Sequence, residues 1–168
     1  MSWQVRQDYA NLAATPALMK LVAKNRETCV LFSDTVLRVD SAGKLQTCLL
    51  IVTDRRVYTA ETETCKLRRK FSLQAIVGVQ LARNSKDFFA LIVPQEEKDC
   101  IFATARRAAA VNAISEACAA LPSGPVAVEH CDAISCRLSI SSNCEVTFGI
   151  SSQAHPTAQL AVHPRAGA

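Results

Sequence analysis

The sequence predicts a mainly β fold, a strongly bent sheet or small barrel capped by one C-terminal α-helix. Short N-terminal helices precede it and extra β-strands follow it. Three observations predict this. About seven short apolar or alternating segments follow one another between residues 28 and 105, each bounded by turn residues. One helical pattern then runs over about 105–121 and is stopped by Pro-Ser-Gly-Pro. Four short alternating pieces return at 126–129, 135–140, 145–150 and 158–163.

Each element has its own signal. In "DYANLAATPALMKLVA", residues 8–23, apolar positions fall at 9, 12, 13, 18, 19 and 22. They predict one or two helical turns, a break near Pro16, and a short helix that begins at Thr15 with proline in its first position. "KNRETC" reads as a polar exit. "TCVLFSD" and "TVLRV" are short strands, the second placing Val36 and Arg38 on one face. "DSAGK" is a turn with a glycine available for positive φ. "LQTCLLIVT" is a buried-length strand, "DRR" a tight turn and "VYTAE" an alternating strand. "TETCK" turns back into "LRRKFSL". "AIVGVQLA" is a strand in which Gly78 marks a bulge or a close backbone approach. "FFALIVP" and "CIFATA" complete the series, separated by "QEEKD". In the helix, apolar residues recur at 110, 111, 114, 118 and 121, with Thr104 as N-cap candidate. The C-terminal pieces continue the sheet or pack across it. This layout is pleckstrin-homology-like. The division expected is a helical segment at 1–27, a core at 28–122, a β extension of the same domain at 123–163 and a frayed tail at 164–168.

Composition narrows the function classes. The chain is 49% hydrophobic and 20% charged, which are globular values. No stretch approaches the roughly 18 apolar residues of a membrane span, and the start lacks a signal-peptide layout. The expectation is a cytoplasmic protein, not secreted, peripheral to a membrane or the cytoskeleton. Eight cysteines show no C-x-x-C spacing and mostly lie in apolar runs, so they read as buried reduced thiols. Cys131, Cys136 and Cys144 with His130 form the one metal candidate, and it is weak; no metal and no cofactor is expected. No phosphate loop, nucleophile elbow or paired carboxylate frame is present, so no enzyme is expected. The few aromatics are not interleaved with the basic run, so no nucleic-acid partner is expected.

Charge is uneven along the chain. Residues 1–86 hold 14 Lys/Arg and 7 Asp/Glu, whereas residues 87–168 hold 5 and 8. A first half with this excess suits an anionic partner.

Residues 8–163 resemble the tail homology domain of class I myosins, a pleckstrin-homology-like module that binds acidic phospholipids. The resemblance is carried by "LFSDTVLRVDSAGK", "LLIVTDRRVYTAE", "FSLQAIVGVQLARNSKDFFALIV", the helix at 106–121, "LSISSNCEVTFG" and "AQLAVHPRAGA". The 168 residues hold neither a motor nor a calmodulin-binding neck. The sequence therefore reads as a free-standing tail domain or a piece of a longer chain. The resemblance implies a headgroup site at the first hairpin turn, mapped to Arg38 and Lys44. Ser41 and Gly43 would add backbone N–H groups that converge on phosphate oxygens. Gln46 and Cys48 stand where the family usually places basic residues, which leaves this pocket half present. A second basic patch comprises Lys66, Arg68, Arg69 and Lys70, with Arg55 and Arg56 in the preceding turn. On a strand, 66, 68 and 70 share a face. The expected partner is an anionic phospholipid membrane, including phosphoinositides. The competing reading is a cytoskeletal protein-interaction scaffold on the same fold.

Overall fold

The structure is a computed structural model that describes residues 4–24, 26–139, 142–148 and 160–164. Among them the first half forms β1 (Gln4–Val5), α1 (Pro16–Ala23), β2 (Cys29–Val39), β3 (Leu45–Thr53), β4 (Arg56–Ala60) and β5 (Leu67–Ser72). There follow β6 (Gly78–Ala82), β7 (Phe88–Ile92), β8 (Cys100–Ala103) and α2 (Arg107–Ala119). The last strands are β9 (Ala127–Cys131), β10 (Ala133–Ser139), β11 (Ser142–Phe148) and β12 (Leu160–Pro164). Residues 165–168, expected to fray, lie outside the described residues, as do parts of the expected strands at 140, 149–150 and 158–159. The chain divides into two compact units, Met1–Val36 with Thr47–Gln74 and Ala108–Pro125, and Leu37–Gln46 with Ala75–Arg107 and Val126–Ala168. β2 and β3 pass through both.

In the first unit the strand order is β5-β4-β3-β2, with β1 parallel to the start of β2. Its core joins Leu12, Leu18, Val22, Val30, Leu49, Ile51, Tyr58 and Ala60. Thr15 stands at the N-cap of α1 and Pro16 opens it, as its fixed φ favours. The helix buries Leu18 and Val22, each contributing about 1.5–3 kcal/mol. The sequence suggests two strands between 28 and 39, but β2 is continuous. Its middle finds partners in the N-terminal segment: Ser33 N–H donates to the Gln7 carbonyl and Tyr9 N–H to the Ser33 carbonyl. With those groups satisfied, Ser33 and Asp34 do not break the strand. Helix α2 buries Ala110, Val111, Ala113, Ile114, Ala117 and Cys118, a continuous helical stripe. Thr104 Oγ1 accepts from Arg106 N–H at 3.0 Å just ahead of it.

In the second unit the order is β8-β7-β6-β9, and β10-β11-β12 form a separate antiparallel sheet. Both expected fates of the C-terminal pieces therefore occur. β9 runs parallel to β6. A parallel neighbour needs a long crossover, and α2 supplies it. The inner faces of β10 and β11 place Ile134, Cys136, Leu138, Cys144 and Val146 against Phe88, Ala90 and Ile101. Gly78 opens β6, and a Cβ there would meet nothing within 4 Å. No close approach requires it.

Buried polar groups fix the second unit. Asp99 accepts from Val93 N–H at 2.8 Å and Arg137 N–H at 2.9 Å. Arg137 returns its guanidinium to the carbonyls of Val93 and Glu96 and lies 3.6 Å from Asp99 Oδ1. At the foot of α2, Arg107 Nη1 donates to the carbonyls of Ala82, Ser85 and Phe88.

Two stability predictions follow from these contacts. Asp99→Ala strands two backbone N–H groups and should cost about 2–4 kcal/mol in urea unfolding. Asp99→Asn, which keeps one acceptor, should cost less; equal losses would contradict this role. Asp54 behaves differently, because its folded pKa lies below the ordinary 3.8. Burial raises it, but hydrogen bonds from the Thr28 side chain, Thr28 N–H and Cys29 N–H outweigh that. The unfolded state therefore binds the extra proton. This stability is fully present above the unfolded value and drains away as pH falls through the depressed folded value. Urea midpoints measured from pH 6 to pH 2 should fall less steeply for Asp54→Asn than for the parent chain. Identical slopes would contradict it.

Candidate functional site

The first basic region is the β2–β3 hairpin, whose tip belongs to the second unit. The turn closes with Asp40 N–H on the Lys44 carbonyl at 2.8 Å and Gly43 N–H on the Asp40 carbonyl at 3.0 Å. Gly43 has φ +79°, a left-handed conformation that explains glycine there. Asp40 Oδ1 accepts from Ala42 N–H at 2.9 Å and Lys44 N–H at 2.8 Å. Its Oδ2 accepts from Gln46 Nε2 at 3.0 Å, and Gln46 Oε1 accepts from Arg38 Nη2 at 3.1 Å. The N–H groups of Ala42, Gly43 and Lys44 thus point at Asp40 itself, among them that of Gly43, expected to face a phosphate. Arg38 is half-buried, whereas Ser41 and Lys44 are exposed.

Sheet register adds neighbours to this end. Arg38, near the end of β2, pairs with Phe102, near the start of β8. The turn at 94–98 therefore lies at the same end of this strand pair. It brings Glu96, Glu97 and Lys98, so carboxylates and cations there are balanced in number.

The second region lies in the first unit, on edge strand β5. The preceding turn closes with Glu61 N–H on the Lys66 carbonyl at 2.9 Å. A register shift opposite Thr59 and Ala60 leaves Arg68 as the extra residue of a bulge. Lys66, Arg68 and Lys70 are all exposed, but the bulge shifts the alternation, so the register sets Lys70 on the Tyr58 face of the sheet and Lys66 on the other, against the single face expected from strand periodicity. Arg69 is half-buried, and its guanidinium lies 5.3 Å from the Phe71 ring centroid. Arg68 forms an ion pair with Glu61. Lys66 and Lys70 form no ion pair among the described residues.

The β3–β4 turn splits its two arginines. Thr53 Oγ1 accepts from Arg55 N–H at 3.1 Å and Arg56 N–H at 2.9 Å, holding the turn tight. Arg56 reaches Glu27 Oε1 at 3.1 Å, and the Tyr58 hydroxyl donates to the same oxygen. Glu27 is fully buried in its side chain, and its Oε2 has no hydrogen-bond partner among the described residues. Arg55 is 54% exposed, 4.0 Å from Asp54, and it lines an open cleft of about 490 Å³ with Ser72, Gln74 and Leu121. Arg56 pairs with Ser72 and Tyr58 with Lys70 in the β4–β5 register, so Arg56 lies diagonal to Lys70.

Sequence reasoning missed two participants. Asp40 had an available signal, because Asp at the first position of a turn bonds its own following backbone. Glu27 had none, since its partner Arg56 is 29 residues away. The cysteines are all free thiols. Cys136 lies directly across from Cys144, and burial, Asp99 and Cys144 push its pKa up to about 12. Among the described residues no group of three or more His, Cys, Asp or Glu could hold a metal ion. No helix of the described residues is long and apolar enough to cross a membrane.

Comparison with known proteins bears on this arrangement. Solved structures similar to the chain include the hSac2 domain of the human phosphoinositide phosphatase Sac2. That likeness has a TM-score of 0.53 at 11% identity, over 71% of this chain and 86% of that one. The N-terminally truncated linker-DH/PH domains of p115-RhoGEF match with a TM-score of 0.50 at 9% identity, over 70% of this chain and 37% of that one. At such identities the likeness concerns the fold alone, and it agrees with the pleckstrin-homology-like layout. No curated protein matches in sequence. A family model described as unconventional myosin tail, actin- and lipid-binding, matches residues 2–166. With the match running over nearly its whole length, the chain belongs to the unconventional myosin tail family.

Proposed function

We propose that this chain is a non-catalytic peripheral membrane module that binds anionic phospholipid surfaces, phosphoinositides among them. The observation that carries the reading is the run of exposed cations along edge strand β5. Lys66, Arg68 and Lys70 are exposed along one sheet edge, and two of the three form no ion pair among the described residues. Each cation close to an anionic leaflet contributes about 1 kcal/mol. Three or four, counting the exposed Arg55, give a weak association that salt screens. The family's lipid-binding description supports the reading. Arg56 contributes little, because Glu27 holds it inward.

A scaffold role toward cytoskeletal proteins is the second reading. The family's actin-binding description and the ion pair that Arg68 makes with Glu61 favour it.

Co-sedimentation separates the two. The chain should pellet with phosphatidylserine and phosphoinositide vesicles, fade as salt rises, and stay in solution with phosphatidylcholine. Replacing Lys66, Arg68 and Lys70 together with Gln should weaken vesicle binding about tenfold or more. A triple variant that binds like the parent would contradict the patch. Pelleting with actin filaments but with no vesicle would favour the scaffold.

A further inference from the structure

We propose that Asp40 determines what the β2–β3 turn can recognise. Its carboxylate occupies the turn's own anion-binding donors, so the hairpin meets a lipid surface through charge density and does not grip an individual phosphate. The inference rests on the lipid-binding reading above and refines it.

Successive N–H groups in a tight turn form a concavity that suits an anion. Here the anion is internal. Asp40 Oδ1 takes the N–H groups of Ala42 and Lys44, and the Asp40 carbonyl takes that of Gly43. A phosphate would have to displace a tethered carboxylate that is always at high effective concentration. It would also meet that carboxylate's negative charge. The second oxygen extends the effect, because Oδ2 holds Gln46 and Gln46 holds Arg38. The guanidinium is thereby directed across the strands toward Gln46. Of the four residues assigned to headgroup binding, only Ser41 and Lys44 keep exposed side chains outside this network.

Gln46 acquires a role through the same chain of bonds. A basic side chain at that position would add charge to the site. The amide instead transmits the position of Asp40 to Arg38.

Flotation on three vesicle types tests the idea. The vesicles are phosphatidylcholine alone, phosphatidylcholine with phosphatidylserine, and phosphatidylcholine with phosphatidylinositol bisphosphate, the last two matched in surface charge. The parent chain should bind the two anionic types equally, within about twofold, since a cation near the surface reads charge and not stereochemistry. Asp40→Asn keeps an acceptor for the turn but loses the charge and the bond to Gln46 Nε2. It should bind bisphosphate vesicles about tenfold more tightly and serine vesicles only about two- to fivefold more tightly. Asp40→Ser, which also keeps an acceptor, should shift in the same direction. Gln46→Ala frees Arg38 but leaves the carboxylate in place, so its preference should stay that of the parent.

A parent chain that already prefers bisphosphate vesicles at matched charge overturns the inference. So do Asp40 variants that raise both affinities equally or not at all. Loss of the fold in both variants, seen by circular dichroism, overturns it too, since the carboxylate would then be a structural requirement. A parent chain that floats with neither anionic vesicle overturns the lipid-binding reading itself, and this inference with it.

Discussion

Aspartate carboxylates bonded to backbone N–H groups are the interaction on which the rest of this structure depends. Asp8 accepts from Leu12 and Ala13 and from the Ser33 hydroxyl, tying the N-terminal segment to β2. Asp54 accepts from Thr28 and Cys29 and fixes where β2 begins. Asp99 joins the β7–β8 turn to β10. Asp40 closes the β2–β3 hairpin. Each stands where the chain leaves regular structure and N–H groups lose their ladder partners. Hydrogen bonds to a charged group contribute about 1.5–3 kcal/mol each, more than neutral ones. At these four places the fold turns negative charge onto its own backbone.

The positive charge is distributed by a different rule. Arg56, Arg107 and Arg137 are drawn onto a buried carboxylate or onto carbonyls, where a planar guanidinium can satisfy several acceptors at once. Lysines 44, 66 and 70 stay exposed at a turn or an edge strand. On β5 these cations have a structural use as well. An edge strand exposes unpaired backbone groups, and charge together with a bulge discourages edge-to-edge pairing. The same side chains that protect the edge are the ones available to an anionic surface. One feature can serve both uses, since neither requires a deep pocket.

Much of the fold was legible because it is written locally. Strands β3, β4, β7 and β8 follow from alternating or apolar runs bounded by turn residues. Helix α2 follows from its stripe and the Pro-Ser-Gly-Pro stop. What escaped was decided at long range. β2 is one strand because residues 7–9 satisfy Ser33, and β9 lies parallel to β6 because α2 carries the chain across. At the candidate site, strand periodicity puts Lys66, Arg68 and Lys70 on one face, but the bulge at Arg68, which periodicity does not reveal, separates Lys66 from Lys70. The inward commitment of Arg56 was not legible either, because Glu27 looked like part of a polar loop. The hairpin tip was legible in part: its location and its glycine could be read, but the partner of its N–H groups could be read only with attention to Asp40.

The central claim is that the cationic edge strand β5 is where this chain meets an anionic surface. Hydrogen–deuterium exchange, measured with and without phosphatidylserine vesicles, tests it most directly because edge-strand amides exchange readily unless covered. Slowed exchange centred on residues 61–72 is the predicted result. Slowed exchange at β9 or on α2, with residues 61–72 unchanged, would contradict it.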